Sequence, residues 1–509
     1  MVRIHNLKKR FCGLIFHVYD NNAMPGSDVW HDKFHRRQAG GHRIATYLRK
    51  QDWDIEVIDF SAKFSFEELK EIAKSRITKD TCFCSFGCIF GSWPTHIEQF
   101  AVWLKETYPN IVITYGGTIW PYVKSKAIDY YITGYAELAM LNLLEVLVGN
   151  KTKSSLKFDL RFADRKVITA NKSNPAFPLN ILSIDYEDRD FIQPEEWLHV
   201  ELSRGCVFKC KFCNYPVLNV KGDYTQDADD FYRNMQSNFD RFGIKNYYVV
   251  DETFNDRPDK ISKFADAVER LSFTPFYSGF IRADLLVSRP QDREDLLRMN
   301  FLGHHYGIES LHYPSAKEIG KGMHPDTLTQ GLLDVKKYFL SNNRKIYRGT
   351  MSFIAGLPHE TVQTMMQSIE WLKNNWSDQS TIWFPLSLPD PEQVSHGWAD
   401  SVSDLAVDFE KFGYIKDDTV DTSNHNGELP WKNEHVSYKK MQVFVEKLVP
   451  KLIGHITNNI SSLTLDELTY PGRTIDQGLQ EKFLQHNLDR SLQFRNFVVE
   501  NYKHKKLSI

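Results

Sequence analysis

The chain has 509 residues, enough for about two to four domains, and its 42% hydrophobic and 25% charged content is that of a globular protein. A formal charge of −2 excludes a broadly basic nucleic-acid surface and leaves only a local patch open. No run of about 18 apolar residues exists to span a membrane, and seven cysteines, an odd number without a secretory signal, point away from disulfides and toward a reducing cytoplasm.

Lys8, Lys9 and Arg10 precede a short apolar run, Phe11 to Phe16, which suits a first buried strand over 11–18 better than a signal segment. Tyr19 to His35 is polar and loop-like, with a turn at Pro25-Gly26. Gly40, Gly41, His42 and Arg43 open an amphipathic helix whose Ile44, Ala45 and Leu48 share one face. Strands are predicted over 53–60, 81–86, 111–117 and 127–133, and helices over 66–75, 96–108 and 136–148, with Phe100, Val102 and Leu104 on the inner side of the second. Strands alternating with helices make a parallel sheet covered on both faces. Ligands of such sheets sit at the carboxyl ends of strands, where Ser85, Gly87, Gly116, Gly117 and Gly134 fall. Cys82 and Cys84, two apart on a strand, share a face; with Cys88 they read as core cysteines or as a second cluster. His31, His35 and His42 read as a solvated or phosphate-facing stretch or as metal ligands.

Residues 149–178 are polar, with a short hairpin expected at 158–169 and punctuation by Pro175 and Pro178. From Trp197 the alternation restarts. Strands are predicted over 198–202, 247–251, 276–282, from His304, over 348–354 and over 381–386, with helices over 227–242, 259–271, 291–299, 326–340 and 361–371. Six such units make an open partial barrel, whose chemistry belongs at the carboxyl face. After Pro389 the alternation stops. Helices are expected over 401–412, 431–450 and 481–503, with Met441, Phe444 and Leu448 inward on the second, and a polar loop over 417–426. The basic end, Lys503 to Lys506, is a frayed terminus or a minor nucleic-acid contact. The domains expected are 1–150, a linker over 151–194, a core over 195–390 and a mainly helical cap over 391–509.

The first strand of the core delivers Glu201 to Tyr215, which holds Cys206, Cys210 and Cys213 in a C-x3-C-x2-C spacing. Three thiolates within eight residues can hold one inorganic centre. A [4Fe–4S] cube takes four ligands, so three cysteines leave one iron open to a small chelating molecule. The alternatives are a zinc loop, which usually shows paired cysteines, and three incidental cysteines.

This loop, with Phe212 just before its third cysteine, resembles the cluster loop of the radical S-adenosylmethionine (radical SAM) superfamily. Arg282, Glu309-Ser310, Lys321-Gly322 and Gly356-Leu357-Pro358 match that family's pattern in order and spacing. The resemblance implies an α/β chain: an N-terminal Rossmann-like sheet of the cobalamin-binding type, a partial (β/α)6 radical SAM barrel and a helical C-terminal region. It implies a [4Fe–4S] cluster on Cys206, Cys210 and Cys213, and S-adenosylmethionine held beside Phe212. Arg282 would pair with its carboxylate, Asp251 or Glu252 would accept from its amine, and Glu309 and Ser310 would hold the ribose. Gly356 and Leu357 would edge the adenine. Taken alone, Glu309 reads equally as a salt-bridged barrel residue and Arg282 as a helix-cap or surface partner. The strand ending in Ser85 and Gly87, the Tyr115-Gly116-Gly117 turn and Thr133 to Glu137 are similar to a cobalamin-binding domain, for which Ser85, Gly87, Gly116, Gly117 and Gly134 are the candidate contacts. The Asp-x-His-x-x-Gly signature that ligates cobalt is absent, so a scaffold or substrate-docking role stands beside cobalamin binding. The chemistry implied is one-electron cleavage of S-adenosylmethionine to a 5′-deoxyadenosyl radical, with methyl transfer where cobalamin is bound and rearrangement, ring contraction or oxidation where it is not. A small-molecule or modified-macromolecule substrate and an electron donor such as flavodoxin or ferredoxin would be the partners.

Overall fold

The computed structural model describes residues 10–18, 38–87, 93–117, 123–160, 164–169, 183–192, 194, 196–204, 206–213, 225–342, 347–388, 403–420 and 429–453. The expectations placed on Pro25-Gly26, His31, His35, Cys88, Pro175, Pro178, Tyr215, the helix over 481–503 and the basic end lie outside these residues. The described chain divides into two compact units, with the break between Glu196 and Trp197.

The first unit runs β1 (Arg10–His17), α1 (Ala39–Arg49), β2 (Trp53–Ile58), α2 (Phe66–Arg76), β3 (Phe83–Gly87), α3 (Thr95–Thr107), β4 (Val112–Gly116), β5 (Tyr130–Thr133), α4 (Glu137–Leu147) and β6 (Val167–Thr169). Its sheet order is β2-β1-β3-β4-β5-β6, and every pairing is parallel. The chain moves from β1 to β2 on one side and then crosses to β3 on the other, so the reversal point of the sheet lies at β1. Alternate strand residues feed two apolar layers, with Leu14, Phe16, Cys84 and Phe86 in one and Ile15, Val57 and Phe83 in the other. A reciprocal Ser65–Glu68 cap starts α2.

Two local expectations change. Val102 is 36% exposed, not inward, because Ile97, Phe100, Ala101 and Leu104 already fill the buried side of α3. Cys82 precedes the strand and packs against the layer opposite to that of Cys84, so the two do not share a face. The short hairpin expected at 158–169 is present, with the Asp159 amide bonding the Val167 carbonyl and the Thr169 amide bonding the Lys157 carbonyl, both at 2.8 Å, around the antiparallel Phe158–Ile168 bridge, and β6 also joins the sheet in parallel with β5.

The second unit runs β7 (Trp197–Val200), α5 (Ala228–Phe242), β8 (Asn246–Val249), α6 (Pro258–Glu269), β9 (Phe276–Ile281), α7 (Ala283–Ser288), α8 (Pro290–Arg298), β10 (Phe301–Glu309), α9 (Tyr313–Glu318), α10 (Pro325–Asn342), β11 (Arg348–Ala355), α11 (Val362–Asn375) and β12 (Ser380–Pro385). Its parallel strands lie in chain order, β7 to β12, with β7 and β12 as the two edges. One face carries Tyr247, Tyr277, Tyr306 and Met351, all fully buried, with Phe231 of α5 against Tyr277. Beyond it, Ile415–Lys416 pairs antiparallel with Trp431–Lys432. The helix expected from Trp431 therefore starts only at Tyr438. It passes through a π-helical turn, Phe444–Leu448, which breaks the 3.6-residue spacing. Met441 and Phe444 are buried as expected, but Leu448 is 37% exposed.

Candidate functional site

The site begins where β7 hands over to the cysteine loop. Asp251, just past β8, accepts from the Leu202 amide at 2.7 Å and from the Ser203 hydroxyl at 2.6 Å. Lys260 of α6 closes the cluster, 2.8 Å from Asp251 and 2.6 Å from Ser203. All three side chains are buried, so charge and countercharge hold the end of β7 in place. Asp251 was expected to receive an amine from a ligand. Both its oxygens are engaged inside this anchor, and Glu252, the other candidate, is half-buried.

Cys206, Cys210 and Cys213 are in no disulfide and are all partly exposed. The loop is tied down at several points. The Thr253 hydroxyl lies 3.5 Å from Cys206 Sγ, the Cys213 amide bonds the Cys210 carbonyl at 3.0 Å, and the Lys211 amide bonds the Ile319 carbonyl at 3.1 Å. Arg282, at the end of β9, lies over the Phe208 ring at 3.8 Å and reaches Cys210 Sγ at 3.7 Å, while Asp284 holds its other side at 2.8 Å. Phe212 is half-buried, with Lys321 Nζ 5.6 Å from its ring centre.

The end of β10 is next to this loop in function. A bulge between Gly307 and Glu309 and a φ of +68° at Glu309 turn the chain sharply there. Burial pushes the Glu309 carboxyl up, against the lowering pull of Lys321 at 3.5 Å. Lys321 also bonds the Gly307 carbonyl at 2.8 Å. A small cleft lined by Ala283, Gly307, Ser310, Lys321 and Gly322 opens beside these residues.

Gly356 follows β11 directly, and its φ of +95° and closeness to Trp431 leave no room for a Cβ: it would meet that ring at 2.5 Å. The polar backbone here was expected to edge a ligand. It is instead consumed internally. Glu360 accepts from the Gly356 and Leu357 amides at 3.2 and 3.3 Å and from the Ser310 hydroxyl at 2.5 Å, and the Tyr414 hydroxyl bonds the Gly356 carbonyl at 2.7 Å. Burial lifts the Glu360 carboxyl to about 7 despite those donors. Glu360, Tyr414 and Lys260 escaped the sequence reading. The available signal for Glu360 was an acid placed just ahead of the Thr361 cap of α11.

In the first unit, Gly87 and Gly116 close β3 and β4, and Gly117 and Gly134 follow with φ of +126° and +80°. Ser85 lies in the middle of β3, paired with Ile15 and Thr114, two residues short of the strand end where it was expected. The end of β1 carries a group the sequence reading missed. His17 Nδ1 meets Asp59 Oδ1 at 2.9 Å, and His42 Nε2 meets Asp59 Oδ2 at 2.8 Å. The Gly41 amide donates to His17 Nε2 at 2.9 Å. His42 is fully buried on α1 rather than solvated. These atoms are close enough for a metal ion, but a metal-bound imidazole keeps its proton on the other nitrogen and donates it. His17 Nε2 accepts, so its proton is on Nδ1 and points to Asp59. The cluster is a hydrogen-bonded brace.

Residues 200–372 match the family model of the Radical SAM superfamily. The fold and the three-cysteine loop therefore define a radical SAM domain. The chain carries that domain over these residues, and its fold is similar to those of solved radical SAM enzymes with bound cobalamin. It is 23% identical over 256 residues to the anaerobic magnesium-protoporphyrin IX monomethyl ester cyclase of Synechocystis sp., a match covering 47% of this chain; the chain spans half the length of that relative. The structure of the radical S-adenosylmethionine methyltransferase TsrM from Kitasatospora setae, with cobalamin and a [4Fe–4S] cluster bound, has a TM-score of 0.61 at 10% identity, covering 95% of this chain and 99% of that one. The cobalamin-dependent S-adenosylmethionine radical enzyme OxsB, with aqua-cobalamin and S-adenosylmethionine bound, has a TM-score of 0.54 at 15% identity, covering 79% of this chain and 56% of that one. At these identities the likeness is one of fold.

The match over these residues implies a [4Fe–4S] cluster and S-adenosylmethionine, and the donor set fits. The three sulfurs do not all lie within 4.8 Å of one another. A single tetrahedral zinc ion with bonds of about 2.3 Å would draw them to about 3.8 Å, whereas a four-iron cube bridges a wider spread. No described helix is long and apolar enough to cross a membrane.

Proposed function

We propose that this chain cleaves S-adenosylmethionine reductively at a cluster held by Cys206, Cys210 and Cys213, and applies the resulting radical to an organic substrate, with methyl transfer as the outcome where cobalamin is bound. The observation that carries the reading is Arg282: one guanidinium at a strand end touches the cysteine loop, and the two residues after it, Ala283 and Asp284, line the cleft that also holds Ser310 and Lys321. The bound cluster supplies one electron to the sulfonium, as cofactors supply the difficult chemistry of such sites. The chain's own residues do the rest. Lys260 and Asp251 fix the loop's origin, Arg282 and Glu252 meet the carboxylate and amine of the ligand, and Glu309 meets the ribose. Ser310, which donates to Glu360 and accepts from the His312 amide, keeps one oxygen lone pair for the ribose. An electron donor such as a flavodoxin or ferredoxin completes the system.

Cobalamin binding in the first unit is supported by the glycine-ended strands, where a Cβ at Gly116 would meet, among the described residues, only the Ile132 carbonyl, at 3.6 Å. His17 stands at the strand end but has both nitrogens engaged, so it offers none to cobalt. Anaerobic reconstitution with iron, sulfide and hydroxocobalamin tests both parts. About four irons per chain, 5′-deoxyadenosine after dithionite and S-adenosylmethionine, and a retained corrin band support the full reading. Iron without the corrin band favours a first unit that docks substrate. One zinc, no iron and no 5′-deoxyadenosine overturns the enzyme reading, and a Cys210→Ala chain that loses iron but stays folded separates a catalytic cluster from a structural ion.

A further inference from the structure

The two faces of the second sheet are unlike. The face under the helices is filled, as parallel sheets require. The other face carries rings from four neighbouring strands. His199 of β7 pairs with Tyr248 of β8, and Phe280 of β9 pairs with His305 of β10. Their ring centres step across the sheet at 5.7 Å from His199 to Tyr248, 6.2 Å to Phe280 and 4.4 Å to His305. Phe280, in the interior of the sheet, is 37% exposed, and Phe384 of β12 is 44% exposed on the same face, with Ile354 and Ile382 half-buried beside it.

A second observation says that a ligand belongs there. His305 is only 6% exposed, and its Nδ1 has no hydrogen-bond partner. A buried polar atom left unpaired is costly, and burial holds the imidazole uncharged by pushing its pKa down to about 3. The face is also placed for chemistry. Arg282 is the next residue after Phe280 to point the same way, about 6.5 Å farther along the strand, and it touches Cys210.

We infer that this face, exposed at Phe280 and Phe384, is the substrate site, and that it takes a planar, uncharged π-system that lies against Phe280 and gives one hydrogen-bonding group to His305. Flat rings gain from offset or edge contacts with an aromatic ladder beyond what their buried area supplies. A charged group would sit unpaired against Phe280 and a neutral imidazole, which disfavours it. The inference rests on the radical SAM reading of the same site.

The test uses the full chain, reconstituted with its cluster, and three probes measured by calorimetry: 2-naphthol, its saturated analogue decahydro-2-naphthol, and 2-methylnaphthalene. We expect 2-naphthol to bind about three- to tenfold more tightly than decahydro-2-naphthol. Phe280→Leu keeps an apolar side chain but no ring, and should erase that preference. His305→Phe keeps the ring and removes the nitrogen, and should bring 2-naphthol and 2-methylnaphthalene to equal affinity. Equal binding of the planar and saturated probes by the parent chain, or a preference untouched by Phe280→Leu, overturns the inference. The same preparations are assayed for 5′-deoxyadenosine. Planar selectivity without any cleavage of S-adenosylmethionine sinks the enzyme reading and not the site; cleavage without selectivity does the reverse.

Discussion

The two parallel sheets treat their carboxyl edges differently. In the first unit, the reversal point at β1 is shut by a neutral-to-charged brace, with Asp59 between two buried imidazoles and the Gly41 amide behind them. Its openness is left to glycines at the ends of β3 and β4. In the second unit, the strand ends carry charged side chains, and these point into loops: Asp251 and Lys260 under the cysteine loop, Arg282 against Cys210, Glu309 with Lys321. Both edges hold buried charge, but one uses it to fix a sheet and the other to hold a loop that must keep three sulfurs in place. The difference shows that a polar strand end is not by itself a binding group. What decides is whether its oxygens and nitrogens are already spent.

The sharpest way to break this comparison is at Lys260. Lys260→Met removes the positive partner of a fully buried Asp251, and stranding one buried charge costs about 3–5 kcal/mol. We expect that loss in denaturant titrations, together with reduced iron retention, because Leu202 and Ser203 would lose their common anchor. Lys260→Met combined with Asp251→Leu should recover most of the stability, since an apolar pair can replace a buried ion pair, and it should not recover the iron. Stability and iron recovering together would mean that the anchor only holds the fold.

At the other edge, Gly41→Ala places a Cβ 2.2 Å from His17 Nε2. The ring cannot swing away cheaply because Asp59 holds its far nitrogen. We expect a cost of about 1–3 kcal/mol, the usual range for overpacking, and no change in iron content. Lost iron in this variant would contradict the division of roles between the two edges.

The contrast between the edges also accounts for what could be read from the chain alone. The βα alternation was legible because periodicity is local, and the cysteine loop because its ligands fall within eight residues. Arg282 and Glu309 were legible as strand ends. Asp251 was legible as a position but not as a role, because the role depends on Lys260, which an amphipathic reading sends to solvent and the fold buries in α6. The Asp59 brace joins residues 17 and 59 across a sheet, a pairing that no spacing rule encodes. Trp431 was read as helical because nothing local announces its two-residue antiparallel pairing with Ile415–Lys416.

The last expected effect is a pH slope rather than a fixed loss and concerns Glu360, which ties the end of β10 to the turn after β11 through Ser310, Gly356 and Leu357. Burial raises its carboxyl from an ordinary value of 4.5 to about 7 in the folded chain. Between those two values the folded state holds a proton that the unfolded chain has released. The stability this proton contributes is complete below about pH 4.5 and is lost as the pH rises through about 7. Glu360→Gln cannot titrate, so the stability difference between parent and variant should shift steadily against the parent across that window, by on the order of 1 kcal/mol per pH unit at most. Denaturant midpoints of both chains at four or five pH values measure it. A difference that stays flat from pH 4.5 to 7 would mean that the carboxylate is already ionised in the fold, held by its three donors, and that the turn after β11 is stabilised by charge in the same way as the anchor beneath the cysteine loop.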